Sequence, residues 1–459
     1  MLNQDRAREL FEKIRKHSTS DQIEMLIGGG KSALTRFANN TILQNVADEN
    51  YDISVRAQFG GRTARASTNK WDDESLRRVV KSAEELARVQ EEDPDLLPMY
   101  DGKIGSAYQA PNRFHDATAA MGATERADEV ASMVTVAKKG GLNSAGVFAT
   151  SEQVEGVFNS LGVERWHRQT MAEASVTMTA PDSTGWQKAN SPDAANVDAR
   201  AMAETAAEKA KLSASPKEIA AGKYTVVLEP SAVLDIIGFM FWDFGGLSLL
   251  DQRSFLNNRM GKKIFGDNIH IIDDPRHPLQ SGATWDGEGV PREPLTLVEG
   301  GVVKNLVYAR GSAARIRKSE FVPQLPNAHP TGHGFPLPNE MGEAPMNVVF
   351  DVKGSKQTVK EMVGGTERGI LVTRLWYIRE VDPYEKILTG MTRDGTFLIE
   401  NGRVTHGLRN FRFNESLLHM LSNVEALGEP VRASGEEAFD MVVPAMKVRD
   451  FNFTEVTKF

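Results

Sequence analysis

The sequence predicts an α+β fold in two domains: residues 1–218, mixing helices with an antiparallel sheet, and residues 219–459, mostly antiparallel β and curved or barrel-like. Three observations carry this expectation. Helical and strand-like periodicities alternate through the first half. A small, polar, proline-bearing stretch, LSASPKEIAAGKY (212–224), interrupts them as a linker would. Beyond it, nearly every patterned segment has the two-residue period of a strand. The 459 residues, 40% of them hydrophobic, suffice for more than one core.

Taken in order, Leu2, Ala7, Leu10, Phe11 and Ile14 fall at helical spacing and predict an amphipathic opening helix over 2–17. IEMLI (23–27), ALTRFANNTILQNVA (33–47) and YDISVRAQF (51–59) read as consecutive strands of an antiparallel meander joined by glycine and asparagine turns, with Gly28-Gly29-Gly30 as the turn joining the first two. Asp72 or Asp73 is placed to cap a helix over 74–90, and a proline-containing loop follows around Asp93 to Pro98. A helix is expected across 115–139. GLNSAGVFATSEQ and GVFNSLGVERWHRQTMAEASVTMTA alternate well enough to pair with each other, and a helix over 196–212 closes the half. After the linker, VVLEP is a strand and 231–243 a helix; IHIID, PLTLVEGGVVKNLVYAR, MNVVFDV, ILVTRLWYIR and GTFLIENGRVTHGLRNFRF are strand-like.

Composition excludes several kinds of function. With 54 basic and 62 acidic residues, a net charge of −8 and no long Lys/Arg block, the chain lacks the basic footprint of a nucleic-acid binder. It has no cysteine, which removes disulfides, thiolate metal sites, iron–sulfur clusters and cysteine nucleophiles. The opening MLNQDRARELFEKIRKH is charged from Asp5 onward and has no signal-peptide core, and the longest apolar run, around Ile236 to Trp242, is too short to span a membrane. Cytoplasmic residence is the expectation.

Candidate chemistry is sparse. Gly28-Gly29-Gly30-Lys31-Ser32 has Met25 where a phosphate loop needs its first glycine. None of the nine histidines is followed by glutamate, so the paired-histidine helix of a zincin is missing. His329 and His333 are four residues apart, but in the proline- and glycine-broken segment NAHPTGHGFPLP. His270, Asp273, Asp274 and His277 could form a mixed oxygen/nitrogen metal site, or a strand end with a proline turn. Asp286 and Glu288 could be an acid/base pair or an acidic turn. There is no G-x-S-x-G elbow. No catalytic residue and no metal ligand is assigned.

Four segments in order along the chain carry a resemblance: TRFANNTILQN (35–45) followed by YDISVRAQFGGRTARASTN; YTVVLEPSAV (224–233); DGEGVPREPLTLVEGGVVKNLVYARGSA (286–313); and GTFLIENGRVTHGLRNFRF (395–413). Together they resemble the TldD/PmbA family, also called modulators of DNA gyrase. The resemblance implies that a TldD-type chain carries a His-Glu-x-x-x-His helix just after the VVLEP-like strand, with a later cysteine completing a zinc site. The corresponding segment here, SAVLDIIGFMFWDFGG (231–246), has no histidine. This chain therefore resembles the PmbA/TldE type, which is implied to bind no zinc itself and to pair with a zinc-bearing TldD-type subunit. The implied activity is proteolysis of unfolded or small peptides between the two subunits. Arg310, Asn327, His329 and Tyr377, polar or aromatic residues in the family-like segments or their loops, are the expected peptide-facing groups. Three readings stay open: a non-catalytic subunit of a heterodimer with a TldD-type partner; a hydrolase using Asp273, Asp274 and His277; and a homodimer that binds peptides without cleaving them.

Overall fold

The computed structural model describes residues 2–105, 111–319, 325 and 328–457. The first half comprises α1 (Gln4–His17), β1 (Gln22–Ala38), β2 (Thr41–Phe59), β3 (Arg62–Thr68), α2 (Asp73–Val89), α3 (Asp116–Ala120), α4 (Ala123–Gly140), β4 (Asn143–Asn159), β5 (Glu164–Ala180), β6 (Ser183–Ser191) and α5 (Ala199–Leu212). Its strands form one antiparallel sheet in the order β3-β2-β1-β4-β5-β6. Met25 pairs with Phe158, and Thr35, ten residues on, with Phe148, so these positions share one face. That face carries the helices: α1 and α2 bury Met25, Val55 and Phe158, while α4 and α5 bury Phe37, Phe148 and Ala174.

The expected turn at Gly28-Gly29-Gly30 is not one. The glycines lie inside the 17-residue β1, with Gly29 opposite Tyr51 and Gly30 opposite Gln153. The reversal falls instead at Asn39 and Asn40, both at positive φ, a conformation asparagine tolerates. Glycine is required within the strand because neighbouring backbone crowds it. A Cβ on Gly29 would stand 2.2 Å from Asn50 O, and one on Gly30 1.8 Å from Glu152 O. The helix expected across 115–139 is divided into α3 and α4 by Met121 and Gly122.

The opposite sheet face docks on the second half. Leu26, Val157 and Val163 pack there against Trp285 and Val290. Beside them Glu24, 1% exposed, accepts from Arg56 Nη2 at 3.1 Å and Arg65 Nη2 at 2.6 Å, and Arg65 Nε donates across to Leu337 O.

The second half comprises β7 (Gly222–Leu228), α6 (Pro230–Ile237), a 3₁₀ turn over Gly238–Phe244, α7 (Gly246–Leu250), β8 (Ile271–Asp273), β9 (Leu295–Glu299), β10 (Val302–Val303), α8 (Arg310–Lys318), β11 (Val348–Phe350), α9 (Val359–Gly364), β12 (Arg368–Asp382), β13 (Ile387–Glu400), β14 (Arg403–Gly407), β15 (Phe411–Ser416), α10 (Leu417–Ser422), β16 (Val424–Leu427), β17 (Val431–Ala433), β18 (Met441–Val443) and β19 (Met446–Val456). Five strands close into a barrel in the order β12-β7-β19-β15-β13, sealed by the pairing of β12 with β13. A second sheet runs β10-β9-β8-β11-β18-β17. Both are antiparallel except for the β12–β7 and β11–β18 pairs. The largest core fills the space between them: Val233, Ile236 and Ile237 of α6 and Met240, Phe241 and Phe244 of the 3₁₀ turn join Leu375, Leu388 and Phe413 of the barrel. No described helix is long and apolar enough to cross a membrane.

A candidate peptide-binding cleft

Strand β7 ends at Leu228, and Pro230, whose ring suits the first helical position, turns the chain into α6. This helix carries one carboxylate among apolar side chains. Asp235 is fully buried, and its Oδ1 accepts from the backbone N–H groups of Glu436 and Glu437 at 3.0 and 3.2 Å. Gly435 precedes them because a Cβ there would stand 2.3 Å from the same oxygen. Burial pushes the Asp235 carboxyl up to about 7, against the pull of these backbone donors. The helix is thereby tied to the loop that follows β17.

That loop forms one wall of a cleft of about 670 Å³. Glu436, Glu437 and Phe439 stand on it, while Gly238, Phe239 and Trp242 of the 3₁₀ turn make the floor. Trp242 is 45% exposed, and its ring lies 5.7 Å from that of Phe335. The far wall is an ion cluster in which Lys386 Nζ lies 2.6 Å from both Asp243 Oδ2 and Glu380 Oε2. Burial raises the Asp243 carboxyl, opposed by Lys386. The first half also reaches this site, for Lys188 of β6 donates to Gly435 O at 3.1 Å and lies 3.6 Å from Glu436 Oε1.

Tyr377 adjoins the cleft. It sits in the irregular stretch of β12 between Trp376 and Arg379, at φ 56°, 55% exposed, and its backbone N–H donates to Glu437 Oε1 at 2.6 Å. On its other side β12 pairs with β7 only from Gly369 to Val372. Beyond that point Thr373, Arg374 and Leu375 are buried, and the exposed end of β12, Arg379 to Val381, borders the cleft through Glu380. Arg310 and His329 are engaged elsewhere. Arg310 opens α8 and straps the two halves, donating to Glu288 Oε2 at 2.9 Å and Pro98 O at 2.8 Å. His329 lies at the surface with Nε2 3.6 Å from Glu293 Oε2. Asn327 lies outside the described residues.

The residues do not suit a zinc ion. On α6 and the 3₁₀ turn the oxygen donors are Asp235 and Asp243, one held by backbone and the other by Lys386, whereas zinc sites take three or four His, Cys or carboxylate ligands. Among the described residues no three such side chains converge on one point. Asp273, Asp274 and His277 separate. Asp273 turns into the core, where its carboxylate meets His333 Nε2 at 3.0 Å and the Asn347 N–H at 2.8 Å, and His333 Nδ1 reaches Thr331 Oγ1 at 2.9 Å. Asp274 accepts from Arg276 N–H and His277 Nδ1 from Leu279 N–H, both within the turn. The Asp273–His333 pair is completely buried. Asp286 likewise serves its turn, accepting from the N–H groups of Glu288, Val290 and Gly334.

Sequence reasoning passed over Asp235, Trp242, Asp243, Glu437 and Lys386. The signal for the first three lay inside SAVLDIIGFMFWDFGG, where two aspartates and a tryptophan interrupt an otherwise apolar segment.

Three family models match the chain in order: PmbA/TldA metallopeptidase domain 1 over residues 24–87, the central domain over 111–214 and the C-terminal domain over 221–455. Metalloprotease PmbA of Escherichia coli O157:H7 is 22% identical over 96% of this chain and 97% of its own length. An uncharacterized protein of Methanocaldococcus jannaschii is 26% identical over 56% of this chain, a match spanning 60% of that protein. Among solved structures, TldE from Thermococcus kodakarensis superposes with a TM-score of 0.84 at 18% identity, covering 98% of this chain and 99% of that one. A Thermotoga maritima protein named for modulation of a DNA gyrase gives the same TM-score at 17% identity, with 98% and 100% covered. These two likenesses establish the fold.

Proposed function

The chain belongs to the TldD/PmbA metallopeptidase family, and from that premise we propose that it is the zinc-free, TldE-like subunit of a cytoplasmic two-subunit peptidase. It pairs with a zinc-bearing TldD-type chain and holds unfolded peptide in the cleft beside α6. The observation that carries this reading is the chemistry of α6 and its 3₁₀ turn. Where the resemblance places the zinc helix of a TldD-type chain, this one presents Ile236, Ile237, Met240 and Phe241 to its own core.

What remains at that position is a binding site. An extended peptide meets aromatic surface at Trp242 and Tyr377, carboxylates at Glu436 and Glu437, and the exposed end of β12 from Arg379 to Val381. Main-chain pairing to a strand edge selects for extended, unfolded chains over particular sequences. The hydrolytic water and its metal belong, in this proposal, to the partner.

The test is elemental analysis of the purified chain together with an unfolded-peptide cleavage assay, run with and without a TldD-type protein. Cleavage only in the mixture, with no stoichiometric zinc retained by this chain, is the expected result. Zinc and turnover in the isolated chain would overturn the proposal. Peptide binding with no cleavage under either condition would leave a homodimeric binding protein as the better account.

A further inference from the structure

The first sheet has an uncovered margin. Strand β3 pairs with β2 only from Ile53 to Phe59, and the outer side of β2 from Thr41 to Asn50 pairs with no described residue. All ten of those residues are exposed. The bulge between Arg36 and Phe37 lies at the hairpin end, so Gln44 to Asn50 run in unbroken register against Arg36 to Gly30.

Strand edges left in water are ordinarily short, or are guarded by lysine or proline, because their unpaired N–H and C=O groups template another chain. This edge has neither residue, and Thr41 to Ala47 carry no charge, while Ile42, Leu43 and Val46 are 40, 63 and 39% exposed. The charges come further along, at Asp48 and Glu49. On β1, Arg36 stands opposite Gln44 and so on the same face as Val46 and Asp48. Neither the Arg36 guanidinium nor the Asp48 carboxylate has a hydrogen-bond or ion-pair partner among the described residues.

These two unmatched charges select an occupant and a register. Antiparallel pairing of β2 with the β2 of a second copy, about a two-fold axis through Val46, sets the two Val46 side chains together and Gln44 against Asp48 of the other copy. Arg36, two strand spacings or about 10 Å from that aspartate, extends toward it over Gln44. The symmetry makes the contact twice. An axis through Asp48 would instead set like charges against each other.

We propose that the chain self-associates through this edge, two copies joining their first sheets into one continuous sheet. The edge lies four strands away from β6, whose Lys188 reaches the cleft wall at Glu436. Pairing through it does not use the cleft, so the proposal stands whether or not the cleft binds peptide.

Sedimentation equilibrium of the full chain should show a reversible monomer–dimer equilibrium. Arg36→Asp and Asp48→Arg, both at exposed positions, should each melt as wild type does and dimerise about tenfold or more weakly. Mixed in equal amounts, the two variants should pair with each other as well as wild type pairs with itself, because opposite charges then meet at both contacts. The register is read by Val46→Cys, which supplies the sole thiol of a chain without cysteine. A short bismaleimide should join it to its counterpart, whereas Glu74→Cys, exposed on α2, should stay unjoined.

A chain monomeric at every concentration, a dimer indifferent to either reversal, or variants that do not recover on mixing would overturn the proposal. So would a chain that is monomeric alone yet joins a TldD-type protein, or takes up an unfolded peptide, in a way that Arg36→Asp abolishes, since the edge would then belong to that occupant. The zinc and cleavage measurements report on the cleft, so either reading can fail without the other.

Discussion

At the scale of single residues, two buried acids make opposite demands. Glu24 is clasped between Arg56 and Arg65, so Glu24→Ala leaves two largely buried guanidinium groups without their carboxylate partner. A loss of about 3–5 kcal/mol is expected, to be read from urea unfolding. Asp235 works the other way, since its folded form holds the proton up to about pH 7. An unfolded aspartate releases it near pH 4. Between those values the native state binds more protons than the unfolded one, so this group's contribution to stability is present in full at low pH and is lost as pH rises. The melting temperature of wild type should therefore fall more steeply from pH 4 to pH 7 than that of Asp235→Asn. Parallel curves would show that the carboxyl is already ionised. Neither role was legible in the sequence, because a lone acid in an apolar stretch does not reveal which backbone donors, some two hundred residues away, will meet it.

At the scale of elements, local pattern was a good guide wherever the chemistry was local. The helix capped by Asp72 lies where its signals placed it, the Asp72 carboxylate accepting from the Ser75 N–H at 2.9 Å. The triple glycine misled because glycine serves two purposes, reversing a chain and letting two backbones approach closely. Only the neighbouring strands, remote in sequence, decide between them. Asn39-Asn40 was the better turn signal and stood within the quoted segment. Gly29→Ala should cost about 1–3 kcal/mol from backbone strain alone, whereas an alanine at Gly60, which meets nothing within 4 Å, escapes the steric clash and bears only its positive φ. Comparing the two by thermal melting separates close approach from turn geometry.

At the scale of the whole molecule, the two halves are held together by Leu26 and Val157 against Val290 and Trp285, by Arg65 reaching Leu337, and by Arg310 reaching Pro98. Arg310→Ala would strand Glu288, which is 3% exposed, and should lower the unfolding midpoint by an amount equivalent to about 3–5 kcal/mol. Circular dichroism in urea reads it. A change confined within experimental error would show that the strap is dispensable. The α+β class and the barrel-like character of the second half were legible from periodicity, but the barrel's closure was not. It depends on β7 pairing with β19, whose register sets Leu228 against Met446.

That pairing has a consequence for the order in which the protein is made. Strands β1 to β6 are complete by Ser191 and α5 by Leu212, so the first sheet and the helices on one of its faces are made while more than half of the chain is still inside or behind the ribosome. The barrel lacks one of its staves until β19 at Met446–Val456 emerges, and until then β7 exposes an unpaired edge. A nascent chain stalled before Met446 should thus present a folded head and a sticky, protease-sensitive tail, the state in which a chaperone would find most to hold.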